Sequence, residues 1–233
     1  MVVFDTDNTI YPYDPAHKFA IRAVINKITN TYEINESDVI NTLNKARIKI
    51  KKNLGNTASS HSRLLYFQKT LELLGYQTQI FDSLDLEEIY WSNFLLKANL
   101  FHNLTEFIKD IRALNIKLSI ITDLTVQIQF RKLIFFNLDE YFDFVVTSEE
   151  SGADKPKNNS FDLLREKSSL KKSRNILMIG DDKVKDINAA KKNGFLSLQK
   201  VHKGVDIEKN IKRTDGYFNS YTDLRIFVKN YWS

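Results

Sequence analysis

The chain opens with "MVVFDTDNTIY", in which Asp5 and Asp7 stand one residue apart directly behind an apolar run, with Asn8 and Thr9 after them. Thr122 and Asp123 follow "KLSII", Asp181 and Asp182 follow "NILMIG", and Lys155 stands in "GADKP", a short way past "FDFVVT". Any one of these alone is ordinary turn chemistry. Together they bring carboxylates, a hydroxyl and an ammonium to the ends of apolar segments. Clustered carboxylates repel one another and stay ionised together only around a cation. Oxygen donors without His or Cys favour Mg²⁺, which keeps some of its waters and is usually completed by substrate phosphate. The implied substrate is therefore a phosphate ester, with Lys155 and the Thr122 hydroxyl holding phosphoryl oxygens. One Asp could attack phosphorus to form an aspartyl-phosphate that water later hydrolyses. A second carboxyl could hand a proton to the leaving alkoxide and then activate that water.

Such chemistry needs elements that carry these residues to one place. The segments "VVF", "KLSIIT", "FDFVVT", "NILMIG", "FLSLQKV" and "GYF" read as strands, separated by helical stretches such as "NLTEFIKDIRALN", "VQIQFRKLIFF", "NSFDLLREKS" and "KDINAAKKNG". Near-continuous apolar strands alternating with helices predict an α/β fold, a Rossmann-like parallel sheet covered on both faces. In that architecture ligands gather at the carboxyl ends of the strands, where the polar residues stand. Between the first strand and the rest, the chain is helical throughout. Ala20, Val24 and Ile28 mark one apolar stripe; Val39, Leu43, Ala46 and Ile50 mark a second, with Ser37 as the expected N-cap. Leu64, Gln68 and Leu71, flanked by Leu65 and Leu74, mark a third, and "LDLEEIYWSNFLLKA" forms a fourth helix with its aromatic residues in the bundle core. The expected organisation is a core of residues 1–14 and 100–233 interrupted by a helical insertion at 15–99.

At 233 residues and 42% hydrophobic, the chain can bury a substantial core, which excludes wholesale disorder. It has no cysteine, so disulfides, thiol chemistry and Cys-type zinc sites are excluded. The net charge of +5 is scattered, with local clusters at "KARIKIKK" and "LKKSRN" and no recognition-helix or RNP-like pattern beside them. Nucleic acid is not an expected partner. Neither a long apolar run nor a leader pattern is present, so a soluble, cytoplasmic protein without membrane attachment is expected. Only four residues precede Asp5, so either the first strand is short or the natural start lies upstream. The oligomeric state is left open.

Four motifs in order resemble those of the haloacid dehalogenase (HAD) superfamily: "VVFDTDNT" its DxDx(T/V) motif, "LSIIT" its strand ending in Thr or Ser, "GADKP" its lysine motif and "LMIGDDKVKD" its acidic motif. The resemblance spans essentially the whole chain and implies a HAD-like core carrying a C1-type helical cap. By that resemblance Asp5 is the nucleophile and Asp7 the general acid/base. Mg²⁺ is held by Asp5, by the Asp7 backbone carbonyl, by Asp181, and by Asp186 directly or through water. The doubled Asp181–Asp182 leaves this register open by one position. Thr122, Lys155, Asn8 and Asp123 are implied to bind the phosphoryl group. A carboxylate at Asp7 points to phosphoryl transfer, since the family's dehalogenases lack an acid there. Thr6 and Asp123 depart from the pattern, which more often has an apolar residue and Asn.

In the helical insertion, His61 and Arg63 of "TASSHSRLLYF" are candidates for touching the part of the substrate beyond the phosphate. The expected activity is Mg²⁺-dependent hydrolysis of a small soluble phosphate monoester, by family analogy a sugar or sugar-acid phosphate. Two alternatives stay open: a phosphomutase of the same fold, and a non-catalytic binding or regulatory protein that kept it.

Overall fold

Each apolar run that ends in a polar residue becomes a strand: β1 (Val2–Phe4), β2 (Leu118–Thr122), β3 (Phe144–Thr147), β4 (Leu177–Gly180), β5 (Leu196–Lys200) and β6 (Gly216–Phe218). The computed structural model describes residues 1–169, 175–210 and 212–232; the basic cluster at Leu170–Arg174 lies outside the described residues. Helices α1 (Tyr13–Tyr32), α2 (Glu36–Leu54), α3 (Arg63–Leu73) and α4 (Ile80–Lys97) fill the interval between β1 and the rest. Beyond it, α5 (Leu104–Ala113), α6 (Val126–Phe135), α7 (Ser148–Ser151), α8 (Asn159–Ser168), α9 (Ala189–Lys192) and α10 (Tyr221–Trp232) alternate with the strands. The chain divides into two compact units, Met1–Pro12 with Asn99–Ser233, and Tyr13–Ala98. Among the described residues, no helix is long and apolar enough to cross a membrane.

In the first unit all six strands are parallel, in the order β3-β2-β1-β4-β5-β6. The fold is α/β. The chain winds outward from β1 on one side, then returns to place β4 on the other, with Val3 level with Ser119 and Met178. The crevice at the carboxyl ends of β1 and β4 is thus the switch point where such sheets bind ligands. Alternate residues build the two faces. Val3, Ile121, Val146 and Met178 belong to one cluster with Phe161 and Leu164 of α8, Ala189 and Ala190 of α9, and Phe195. Phe4 points the other way, edge-on to Phe107 of α5 at 6.2 Å and to Phe142 at 6.1 Å. Phe107 in turn meets Tyr221 of α10 at 5.5 Å.

The helical unit is held by its own aromatic core. Tyr90, Trp91 and Phe94 on α4 are buried, with Tyr90 and Trp91 edge-on at 4.9 Å. Ala20, Val24 and Ile28 of α1, and Val39, Leu43 and Ala46 of α2, are buried as their spacing requires. Two local expectations change. The N-cap of α2 is Asn35, not Ser37; the Asn35 side chain accepts the Ser37 amide at 2.9 Å. Asn and Ser cap equally well, and the chain turns at the earlier one. On α3 the buried stripe is Tyr66, Phe67, Thr70 and Leu71, while Leu64 and Leu65 are half-buried. The bulkier rings take the interior, because each removes more apolar area from water.

Phe161 is fully buried and edge-on to Phe195 at 5.6 Å, so it is the natural probe of the sheet's packing. Phe161→Ala is expected to lower stability by about 3–5 kcal/mol, measured by urea unfolding, through lost burial and the cavity it leaves.

Candidate active site

The turn after β1 is set by its backbone. The Asp5 amide extends the ladder to Ile179 O at 2.9 Å, and the amides of Thr9 and Ile10 both turn back to Thr6 O. Asn8 takes φ +64°, a left-handed conformation that Asn tolerates better than most residues. Tyr221 of α10 pins the turn from below, its hydroxyl donating to Thr9 O at 2.8 Å. Two carboxylates thus leave one tight turn in different directions.

Asp5 faces a charge cluster. The Lys155 Nζ donates to Asp5 Oδ1 at 2.6 Å, to Asp186 Oδ1 at 2.6 Å and to Ile121 O at 3.3 Å, and all three side chains are buried. Thr9 Oγ1 donates to Asp5 Oδ2 at 3.3 Å. Asp5, Asp181 and Asp186 offer carboxylate oxygens within 4.8 Å of one another. Burial pushes the Asp5 carboxyl up to about 7, with Lys155 opposing the rise and Asp186 adding to it. Burial, then repulsion from Asp186 and Asp5, pushes Asp181 up to about 9. Asp186 is likewise raised, first by burial and against the pull of Lys155. Burial works against the Lys155 ammonium, but Asp186, Asp5 and Asp123 outweigh it and hold its pKa well above the ordinary lysine value. One ammonium does not balance three crowded carboxylates. This set of carboxyl oxygens fits a hard divalent cation.

Asp186 reaches this cluster through an unusual helix start. The stretch expected as a plain helix opens with a π-helical segment, Lys183–Asn188, before α9. Asp182 is its N-cap: Oδ1 accepts the amides of Val184 at 2.7 Å and Lys185 at 2.9 Å, while its carbonyl accepts those of Asp186 and Ile187. Asp182 is exposed, and Asp186 Oδ2 accepts its amide at 3.0 Å. Of the two adjacent aspartates, Asp181 stands in the carboxylate cluster and Asp182 in the cap. Gly180 makes room for this. A Cβ there would lie 2.3 Å from Asp186 Cβ and 2.5 Å from its carboxyl carbon.

The remaining predicted residues are spread around the cluster. Thr122 Oγ1 lies 2.6 Å from Thr6 Oγ1 and accepts Gln129 Nε2 of α6 at 2.9 Å. The Asp123 carboxylate accepts the Lys155 amide at 2.9 Å and the Lys185 ammonium at 2.9 Å, so it organises the lysine loop. Asp7 lies outside the carboxylate cluster; its Oδ1 accepts the Tyr11 hydroxyl and, at 2.9 Å, Lys132 Nζ. His61 and Arg63 belong to the helical unit. There Arg63 donates to His61 O and to the Tyr13 hydroxyl, each at 2.6 Å, with its guanidinium 5.0 Å over the Tyr90 ring. Sequence reasoning passed over Thr6 as a partner of Thr122, and over Tyr11, Gln129, Lys132, Gly180 and Lys185. For Gln129 and Lys132 a signal existed, since both share the stripe of α6 that carries Ile128 and Leu133.

Removing the ammonium alone leaves two buried carboxylates facing each other. Lys155→Met in chelator at pH 8 is expected to cost about 3–5 kcal/mol by denaturant unfolding, the usual penalty for breaking a buried pair from one side. A loss below about 1 kcal/mol would mean that Lys155 does not hold the cluster together.

Residues 2–199 match the family model described as haloacid dehalogenase-like hydrolase. The chain is 34% identical, over 83% of its length and 81% of the relative's, to a ribulose-1,5-bisphosphate 5-phosphatase of Halopiger xanaduensis. It is 31% identical, over 98% of its length and 96% of the relative's, to a glyceraldehyde 3-phosphate phosphatase of Methanocaldococcus jannaschii. Its fold resembles that of a magnesium-bound HAD hydrolase of Bacillus subtilis, with a TM-score of 0.72 at 19% identity over 98% and 97% of the two chains. The chain belongs to the haloacid dehalogenase-like hydrolase family.

Proposed function

We propose that this chain is a Mg²⁺-dependent phosphatase that hydrolyses small sugar phosphates through an aspartyl-phosphate on Asp5. The observation that carries the reading is the pair of buried carboxyls Asp5 and Asp186 bridged by Lys155, with half-buried Asp181 clustered beside them and Asp7 two residues along the same turn. The relatives named for phosphatase activity on glyceraldehyde 3-phosphate and ribulose 1,5-bisphosphate support the substrate class. Asp5, Asp181, Asp186 and the Asp7 carbonyl would hold Mg²⁺, which would supply positive charge beside the phosphoryl oxygens and offset the negative charge of the carboxylates.

The chain's own residues then divide the work. Lys155, the Thr122 hydroxyl and the amides around Asn8 and Asp123 hold and orient the phosphoryl group. An Asp5 carboxylate oxygen forms a bond to phosphorus as the ester P–O bond breaks. Asp7 gives its proton to the departing sugar oxygen, so the alcohol leaves neutral. Water next attacks the aspartyl-phosphate, Asp7 takes a proton from it, and orthophosphate leaves with the Asp5 carboxylate restored. The net reaction consumes one water per ester. Within the helical unit, His61 and Arg63 are the proposed recognition residues for the sugar.

A panel of sugar monophosphates and bisphosphates that includes glyceraldehyde 3-phosphate and ribulose 1,5-bisphosphate tests the reading by phosphate release. Turnover is expected with Mg²⁺ and not with EDTA. Asp5→Asn is expected to cost roughly 10⁴-fold or more in kcat while leaving the melting curve native. Near-wild-type turnover by Asp5→Asn would exclude the covalent route.

A pH dependence follows from the raised carboxyls. Asp5 at about 7 and Asp181 at about 9 must lose protons before they can hold a cation, so protons compete with the metal below those values. Mg²⁺ affinity is therefore expected to rise with pH from 6 to 8, and the melting-temperature gain in excess Mg²⁺ should be larger at pH 8. Calorimetric titrations in buffers of different ionisation enthalpy would register the released protons; a pH-independent affinity would contradict this picture.

A further inference from the structure

Lys132 is 1% exposed, on a helix that no motif singles out. A buried ammonium is costly unless it is paired, and an apolar residue would fill the same stripe of α6 without that cost. Its Nζ donates to Asp7 Oδ1 at 2.9 Å. The same oxygen accepts the Tyr11 hydroxyl, and Lys132 Nζ lies 5.6 Å over the Tyr11 ring. Tyr11 is itself fully buried and packed on Phe136 at 5.2 Å. Two buried donors therefore converge on one oxygen of one carboxyl. One turn earlier on α6, Gln129 Nε2 donates to Thr122 Oγ1 at 2.9 Å and to Asp123 O at 2.8 Å. The polar half of this stripe thus ties the end of β2 to the turn after β1.

We propose that Lys132, together with Tyr11, is a positioning residue for Asp7, clamping its Oδ1 so that the transferable proton sits at Oδ2 and meets the leaving oxygen. The inference rests on the acid/base reading of Asp7 given above. The clamp acts before and during the first bond exchange. As Asp5 bonds to phosphorus and the ester P–O bond breaks, the Oδ2 proton passes to the sugar oxygen. Such a role depends on the leaving group. An alkoxide needs the proton, whereas a nitrophenolate departs without it. The ratio kcat/KM reports the steps up to leaving-group departure, so it isolates this half of the reaction.

The test compares kcat/KM for glyceraldehyde 3-phosphate and for 4-nitrophenyl phosphate, with Mg²⁺, in the full chain. Lys132→Met is expected to lose about 10²-fold on the sugar phosphate and about tenfold or less on the nitrophenyl ester. Lys132→Arg should recover most of the loss, and Lys132→Met should add nothing in an Asp7→Asn background. Equal losses on the two esters, no loss on the sugar phosphate, or full additivity with Asp7→Asn would each overturn the clamp. If Lys132→Met does not fold, Tyr11→Phe decides: it keeps the cation, removes the second donor, and should show the same leaving-group bias at smaller size. Asp7→Asn separates the two levels. Wild-type kcat/KM in that variant removes the acid/base reading and the clamp with it. A large loss there, with Lys132→Met unchanged, removes the clamp alone.

Discussion

The fold turns on a single ammonium. Lys155 Nζ stands 2.6 Å from carboxylates on two different segments, Asp5 behind β1 and Asp186 behind β4, and all three groups are buried. A like-charge cluster in a dry crevice is untenable without such a bridge. The surrounding architecture can be read as the means of making it. Parallel β1 and β4 set their carboxyl ends side by side. The π-helical start at Lys183–Asn188 directs Asp186 back toward β4, and Gly180 keeps its own side of the strand clear. Asp123 accepts the Lys155 amide and so fixes the loop from which the ammonium reaches in. Lys155 offsets only part of the repulsion among the three carboxyls, so the same geometry that needs Lys155 also suits a divalent cation.

Each of these positions was accessible to sequence reasoning to a different degree. Strands were legible because a sheet covered on both faces demands unbroken apolar runs, and "LSIIT" and "LMIG" are short enough runs to be read as such. Their order in the sheet follows from physics that no single segment displays. Pairing across the sheet, not any pattern within one strand, puts β1 next to both β2 and β4. The carboxylate positions were legible because polar residues of complementary chemistry recur at the ends of several apolar runs, although each alone is ordinary turn chemistry. What escaped was the supporting layer. Lys132 and Gln129 sit inside an apolar stripe whose period matches an ordinary helix, and pattern matching treats one lysine in such a stripe as a solvated edge. Asp182 could have been recognised as an N-cap from its place just ahead of a helical run. The π-turn that follows had no marker, since it is set by where Asp186 must go.

Local competition explains the smaller departures. Asn35 and Ser37 are both good caps, and two residues of slippage at a helix start cost little in the sequence pattern. On α3, aromatic Tyr66 and Phe67 displaced Leu64 and Leu65 from the interior, a choice that only the shape of the neighbouring helices can make. Neither shift touches the first unit's site. Errors of register matter where a residue carries charge into a buried place, and there the charges themselves constrain the answer.

The two aspartates of the opening turn illustrate that constraint. They are the same side chain, two positions apart, yet their surroundings differ in kind. Asp5 is buried, raised by desolvation and bridged to Asp186 by Lys155. Asp7 has a side chain 39% exposed and is held at one oxygen by Lys132 and Tyr11. One carboxyl that attacks and one that carries a proton cannot share an environment, because the first must be an oriented anion and the second must exchange with solvent. Each carboxyl has a lysine of its own, so on the proposed reading the two can be held differently without altering the turn. Lys155 comes from the loop after β3 and Lys132 from α6, so the two environments are set by elements that can vary independently. The spacing of Asp5 and Asp7 makes two roles sterically available. On the proposed reading, the burial of one carboxyl and the exposure of the other separate those roles.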